Sequence, residues 1–192
     1  MRFRLPRTKR LDSVPAVLAF EVYVLMTMKL RLKMCQKSHE LESKLSEHGL
    51  SGDEGQRLHD RAAAAFQSES TFVPDLQKFL GIDGPTSVTF SSILWSEFDF
   101  EAVAGEVNTV GYRHVRGRCV DVISPRDLPT WSMDVAEFAK RFGPVGPAHE
   151  CPLFDDHLPA YREHTYVWNG QDFGAGFSWG LFMFAAKLWP ED

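Results

Sequence analysis

From Phe20 to Met34 the chain sets apolar residues at every even position: Phe20, Val22, Val24, Met26, Met28, Leu30, Leu32 and Met34. A period of two predicts a long β-strand over 20–34 with one buried face. Between the later members stand Thr27, Lys29, Arg31 and Lys33, so the second half reads as a strand with a basic outer face. Leu25 makes the first half apolar on both faces, as in a strand covered from both sides.

The pattern then turns helical. In SHELESKLSEHG, Ser38 is placed to cap, Leu41 and Leu45 lie four apart, and Gly49 offers a left-handed stop, which predicts a helix over 38–48. SGDEGQRLHDRAAAAFQ opens with Ser51 and Glu54 at capping-box spacing and continues into alanines, predicting a helix over 53–67. PDLQKFLG has Pro74 at its first position and Gly81 beyond its end, predicting a short helix over 74–80.

Strand patterns follow near 88–101 and 110–123, the second β-branched and basic with Gly117 as a candidate bulge. Asp134 and Glu137 repeat the capping-box spacing, and Val135, Phe138, Ala139 and Phe142 line one face before Gly143-Pro144, so a helix is expected over 133–142. GPVGPAHECPLFDDHLPAYREH reads as a long Pro-rich ordered loop. In TYVWNGQDF the Asn-Gly pair signals a type I′ hairpin. FSWGLFMFAAKLW fits both periods: Phe177, Leu181, Phe184 and Leu188 make a helical stripe, and Phe177, Trp179, Leu181 and Met183 a strand face. No repeat recurs at a fixed period. The elements sum to an α+β fold: a single domain over 14–192 with an antiparallel sheet and helices mainly on one face, behind a basic segment 1–13 that is disordered or serves in targeting.

At 192 residues, 44% of them hydrophobic, the chain is long enough to bury a core without metals or disulfides. Three cysteines, Cys35, Cys119 and Cys151, with no CxxC pair, suit a reducing compartment. The net charge of −5 divides into +7 over residues 1–37 and −12 over 38–192. So acidic a body repels phosphate backbones and disfavours nucleic acid as a partner. MRFRLPRTKR carries five basic residues and no acid, but Glu21 interrupts the apolar run behind it, which argues against a signal peptide. Val14 to Met28 is too short for a membrane span and contains Pro15. A cytoplasmic location is expected, with mitochondrial import the alternative.

Charge also suggests a pairing. Lys29, Arg31 and Lys33 on one strand face would meet Glu97, Asp99 and Glu101 on another, fixing register rather than adding much stability. Three sets of residues can carry chemistry. His149, Cys151, His157 and His164 are zinc-type donors on one Pro-stiffened loop, although their spacing matches no established zinc motif. Glu97, Asp99 and His114, among aromatic residues, could perform acid/base catalysis. Nine aromatics between Tyr161 and Trp189 offer core packing or a ligand pocket or interface around Trp168, Phe173 and Trp179. Neither a Gly-rich phosphate loop nor a G-x-S-x-G elbow occurs. The expectation is therefore a soluble, non-catalytic binding or interaction domain for a small molecule or protein, with an aromatic-rich C-terminal pocket or interface. The alternative is a small metal-dependent or acid/base enzyme.

Overall fold

The structure, a computed structural model, describes residues 14–84, 86–105, 109–118 and 120–188. The basic segment 1–13, Cys119 and Trp189 lie outside the described residues. Five helices come first: α1 (Ala16–Thr27), α2 (Lys29–Met34), α3 (Ser38–Glu47), α4 (Gly52–Ala63) and α5 (Phe72–Leu80). Three strands follow, β1 (Ser87–Ser91), β2 (Phe98–Val103) and β3 (Thr109–His114). Then come α6 (Val135–Phe142) and four strands, β4 (Ala148–Glu150), β5 (Tyr161–Trp168), β6 (Gln171–Ser178) and β7 (Leu181–Lys187). The fold is α+β with antiparallel pairing throughout, as expected. Its strands are divided between two sheets, ordered β1-β2-β3 and β4-β5-β6-β7, where the sequence suggested one.

The stretch 20–34 is helical, not a strand. Ala19 to Met26 are all buried, Glu21 included, and a helix enclosed on every side carries apolar residues at all positions, so its pattern cannot report a 3.6-residue period. Fifteen mostly apolar residues also exceed the usual strand of roughly five or six. In α2 only Leu32 is buried, while Leu30 and Met34, the apolar members of the supposed strand face, are 41% and 60% exposed.

α1 is the hub of the larger core. Phe20 meets the rings of Phe66, Phe72, Phe90, Phe100 and Trp179 at centroid distances of 5.0 to 6.3 Å. The buried Glu21 carboxylate accepts bonds from the backbone N–H groups of Ile93 (2.8 Å) and Leu94 (3.0 Å), tying α1 to the turn between β1 and β2. That turn splits the single strand pattern read over 88–101. A second core holds Met133, Phe138, Tyr166, Phe173, Phe177 and Phe182 between α6 and the four-stranded sheet. β7 serves both cores, with Leu181 and Met183 in the first and Phe182 in the second.

Both capping-box spacings place real caps. Ser51 and Glu54 exchange the full reciprocal pair at α4, and the Asp134 side chain accepts from the Glu137 N–H at α6. The Asn-Gly hairpin forms with φ of 51° and 73° at Asn169 and Gly170, as a type I′ turn requires. The ambiguous segment after it is two strands joined at Trp179 (φ 52°) and Gly180 (φ 82°).

That second turn joins the two sheets. The Tyr112 N–H on the outer edge of β3 donates to the Trp179 carbonyl at 2.7 Å. A Cβ at Gly180 would lie 2.7 Å from the Tyr112 carbonyl oxygen, and one at Gly111 would lie 2.9 Å from that of Trp179. Backbone meets backbone there, which only glycine permits at both positions. The free edge of β7 is likewise covered, because Trp131 N–H donates to the Phe182 carbonyl and Phe182 N–H to that of Met133.

The expected charge pairing is replaced by another. Arg31 leaves α2 to lie between the rings of Tyr161 and Phe184, 4.5 and 4.4 Å from their centroids. Its guanidinium donates to the Tyr161 hydroxyl and to Glu163 Oε2 at 3.1 Å. Gly176 makes the room: a Cβ there would lie 2.3 Å from the Phe184 ring and 2.4 Å from the Tyr161 hydroxyl. Asp99 pairs instead with Arg116 at 2.6 Å and Glu101 with Arg113 at 3.4 Å, so the acidic face of β2 is answered from β3 and the loop that follows it.

Candidate functional site

Beside the joined backbones of Gly111 and Gly180 lies a cleft in two adjoining parts of about 640 and 610 Å³. Val110, Val135, Arg162 and Gly180 line both parts. The larger part is walled by β3 and the first turn of α6, the smaller by Glu69, Glu150, Cys151 and Pro152. Two arginines and several carboxylates face it, with Arg162 Nε 3.4 Å from Glu150 Oε1 and Arg113 Nε 3.4 Å from Glu101 Oε2. These exposed pairs contribute little to stability, roughly 0–1 kcal/mol each, and both can be exchanged for contacts to a ligand.

His114 ends β3 at the wall of this cleft, and its side chain is only 5% exposed. Its backbone N–H donates to Asp134 Oδ2 at 3.0 Å, while Asp134 Oδ1 accepts from the Glu137 N–H at 2.9 Å. One carboxylate thus fixes the end of β3 and the start of α6 together. The His114 Nδ1 atom lies 2.6 Å from Glu137 Oε1, and since a carboxylate only accepts, Nδ1 carries the hydrogen. Nε2 faces Glu97 Oε2 at 3.7 Å and has no hydrogen-bond partner. Phe98 packs on the ring at 4.9 Å. The imidazole is therefore held in one orientation between two carboxylates, a fixed geometry of the kind acid/base chemistry uses.

Of the acid/base set read from the sequence, Glu97 and His114 meet and Asp99 does not join them. The Asp99 carboxylate is held below the usual carboxylate range by the Arg116 guanidinium that hydrogen-bonds to it. Glu137 completes the arrangement, and the sequence signalled it only as a helix-capping residue. Arg162 and Glu150, on facing strands β5 and β4, gave no local signal at all.

The four zinc-type donors do not converge. His149 is exposed on β4, opposite Glu163. The His164 Nδ1 atom is 3.0 Å from the Gly146 carbonyl oxygen. Cys151 opens to the cleft, whereas His157 opens to a separate hollow beside Tyr23. Among the described residues no three His, Cys, Asp or Glu side chains are grouped to hold a metal ion, so the zinc expectation finds no donor set. Burial pushes the thiols of both Cys35 and Cys151 upward, which disfavours thiolate chemistry at either.

The C-terminal aromatics chiefly make core. Trp179 is wholly buried, with Nε1 donating to Thr27 Oγ1 at 3.0 Å and its ring against Phe20, Tyr23 and Phe72. Phe173 is buried beneath Tyr166 and Trp168 in the second core, and Trp168 alone of the three is half-buried. Among the described residues no helix is long and apolar enough to cross a membrane. The chain matches no protein-family model, no curated protein and no solved structure.

Proposed function

We propose that the protein is a binding domain whose ligand occupies the cleft beside β3, rather than a pocket among the C-terminal aromatics. The observation that supports this most is the pair of adjoining hollows sharing Val110, Val135, Arg162 and Gly180. Each is of the size of small-molecule sites, roughly 300–1,000 Å³, and its walls are fixed by paired backbone and by the Asp134 bridge. Exposed arginine–glutamate pairs on the walls favour a polar ligand bearing both charges, or a short peptide. Amide chemical shifts of the labelled protein, followed against a library of polar fragments and peptides, test this directly. Shifts should concentrate on Val110, Val135, Arg162 and Gly180 and vanish in Val135→Trp, while hits scattered over the surface, or none, refute it.

The geometry of His114 favours a second function for the same cleft, acid/base catalysis on the bound molecule. Glu137 orients the imidazole, and on the ring's other side Nε2 faces the Glu97 carboxylate at 3.7 Å, too far for a hydrogen bond. Turnover of a cleft-bound compound, abolished in His114→Gln but kept in Glu101→Gln, distinguishes catalysis from binding alone.

A further inference from the structure

A second hollow of about 560 Å³ lies between α1, α2, α4 and the loop at 154–159, and it shares no lining residue with either part of the cleft. Its apolar surface comes from Tyr23, Met26, Leu30 and Phe154, and its charged residues are Lys29, Lys33, Asp155 and Asp156. We propose that this hollow binds a single-chain amphiphile with a zwitterionic head group, of the phosphocholine type.

Lys29 and Lys33 are both exposed and one helical turn apart on α2, so their ammonium groups can approach one phosphate together. Asp155 is already placed: its Oδ1 accepts from the backbone N–H groups of His157 (2.9 Å) and Leu158 (2.7 Å). Asp156 is exposed beside it. Among the described residues no ion pair engages Lys29, Lys33 or Asp156. Two unpaired cations and two anions lining one partly apolar hollow match a head group that carries both charges, not a fatty acid or a cationic surfactant. A quaternary ammonium gains further from a nearby aromatic face, here that of Phe154, since the Tyr23 ring is already stacked on His59. The Leu30 side chain, 41% exposed beside the two lysines, would be covered by the acyl chain. A hollow of this volume fits one small molecule, whereas a stable protein partner would cover an area of roughly 800 Å².

The test is calorimetric titration of the full chain, below micelle-forming concentrations, with dodecylphosphocholine, dodecanoate and dodecyltrimethylammonium. Dodecylphosphocholine should bind one per chain and more tightly than the other two. Its ten-carbon homologue should bind more weakly by up to about fourfold per methylene. The exposed pair Lys29→Gln/Lys33→Gln, and separately Asp156→Asn, should each weaken phosphocholine binding about tenfold or more. Ala63→Trp, which fills the hollow from α4, should abolish it with cleft ligands unaffected. Binding of many molecules per chain, equal affinity for the three head groups, a preference for dodecanoate or the cationic homologue, or indifference to the lysine pair overturns the proposal.

Discussion

Replacing Arg31 with methionine tests how α2 is held to the four-stranded sheet. Methionine keeps an unbranched apolar stem between the rings, so the loss reports the guanidinium rather than a void. The two ring contacts, at 4.5 and 4.4 Å from the guanidinium carbon, involve a side chain only 14% exposed. Each contributes about 0.5–1 kcal/mol. A charge-assisted bond to a buried carboxylate would add about 1.5–3 kcal/mol. Glu163, however, is 36% exposed, and solvent screening reduces that contribution to about 1 kcal/mol. Arg31→Met should therefore cost about 2–3 kcal/mol in urea unfolding, and lower Tm by about 4–12 °C for a chain of this length. A double-mutant cycle with Glu163→Gln should return a coupling of about 1 kcal/mol. A loss below about 0.5 kcal/mol would show that the Arg31 clamp does not hold α2 in place, and a coupling near zero that the Glu163 carboxylate has no part in it.

Two further predictions concern the backbone and a buried acid. Gly180→Ala forces a Cβ to 2.7 Å from the Tyr112 carbonyl oxygen at φ +82° and should cost about 1–3 kcal/mol. Gly52→Ala, in α4 with nothing within 4 Å, should instead stabilise by up to about 1 kcal/mol; chemical denaturation of both variants decides whether the close approach matters. Burial raises the Glu21 carboxyl above its ordinary 4.5, outweighing the hydrogen bonds it accepts. The folded protein thus binds this proton more readily than the unfolded chain, and the stability so conferred is fully present below about pH 4.5. It is lost as pH rises through the folded value. The stability of wild type minus that of Glu21→Gln should decline with rising pH above 4.5, and a difference that stays constant up to pH 8 would refute the shift.

What was legible in the sequence was what short-range chemistry decides. Ser51 and Glu54, Asp134 and Glu137, Gly49, Gly81 and Asn169-Gly170 each act within a few residues of themselves, and each marks a true cap or turn. The stretch 20–34 shows alternation without being a strand because α1 is enclosed on all sides, so no 3.6-residue period is written into it. Arg31 reaches partners 130 and 132 residues away, a distance over which alternation carries no information. His114 and Glu97 were found as candidates by residue type. Their true companion, Glu137, was recognised only for its cap, and Asp99 was included because nothing local shows that Arg116 turns back onto it.

The contact of Gly111 with Gly180 also bears on how the molecule can move. Because main chain rests on main chain there, with Tyr112 bonded to Trp179, the two sheets have no hinge between them at the head of the cleft. Domain-style closure by rocking one sheet against the other would have to break this backbone contact. Any fitting of the cleft to its contents falls to the 151–160 loop and to side chains such as Arg162, whose rearrangements are small and fast. A ligand of the proposed site would enter a jaw of nearly fixed width, and its affinity would be gained from preorganisation rather than from capture.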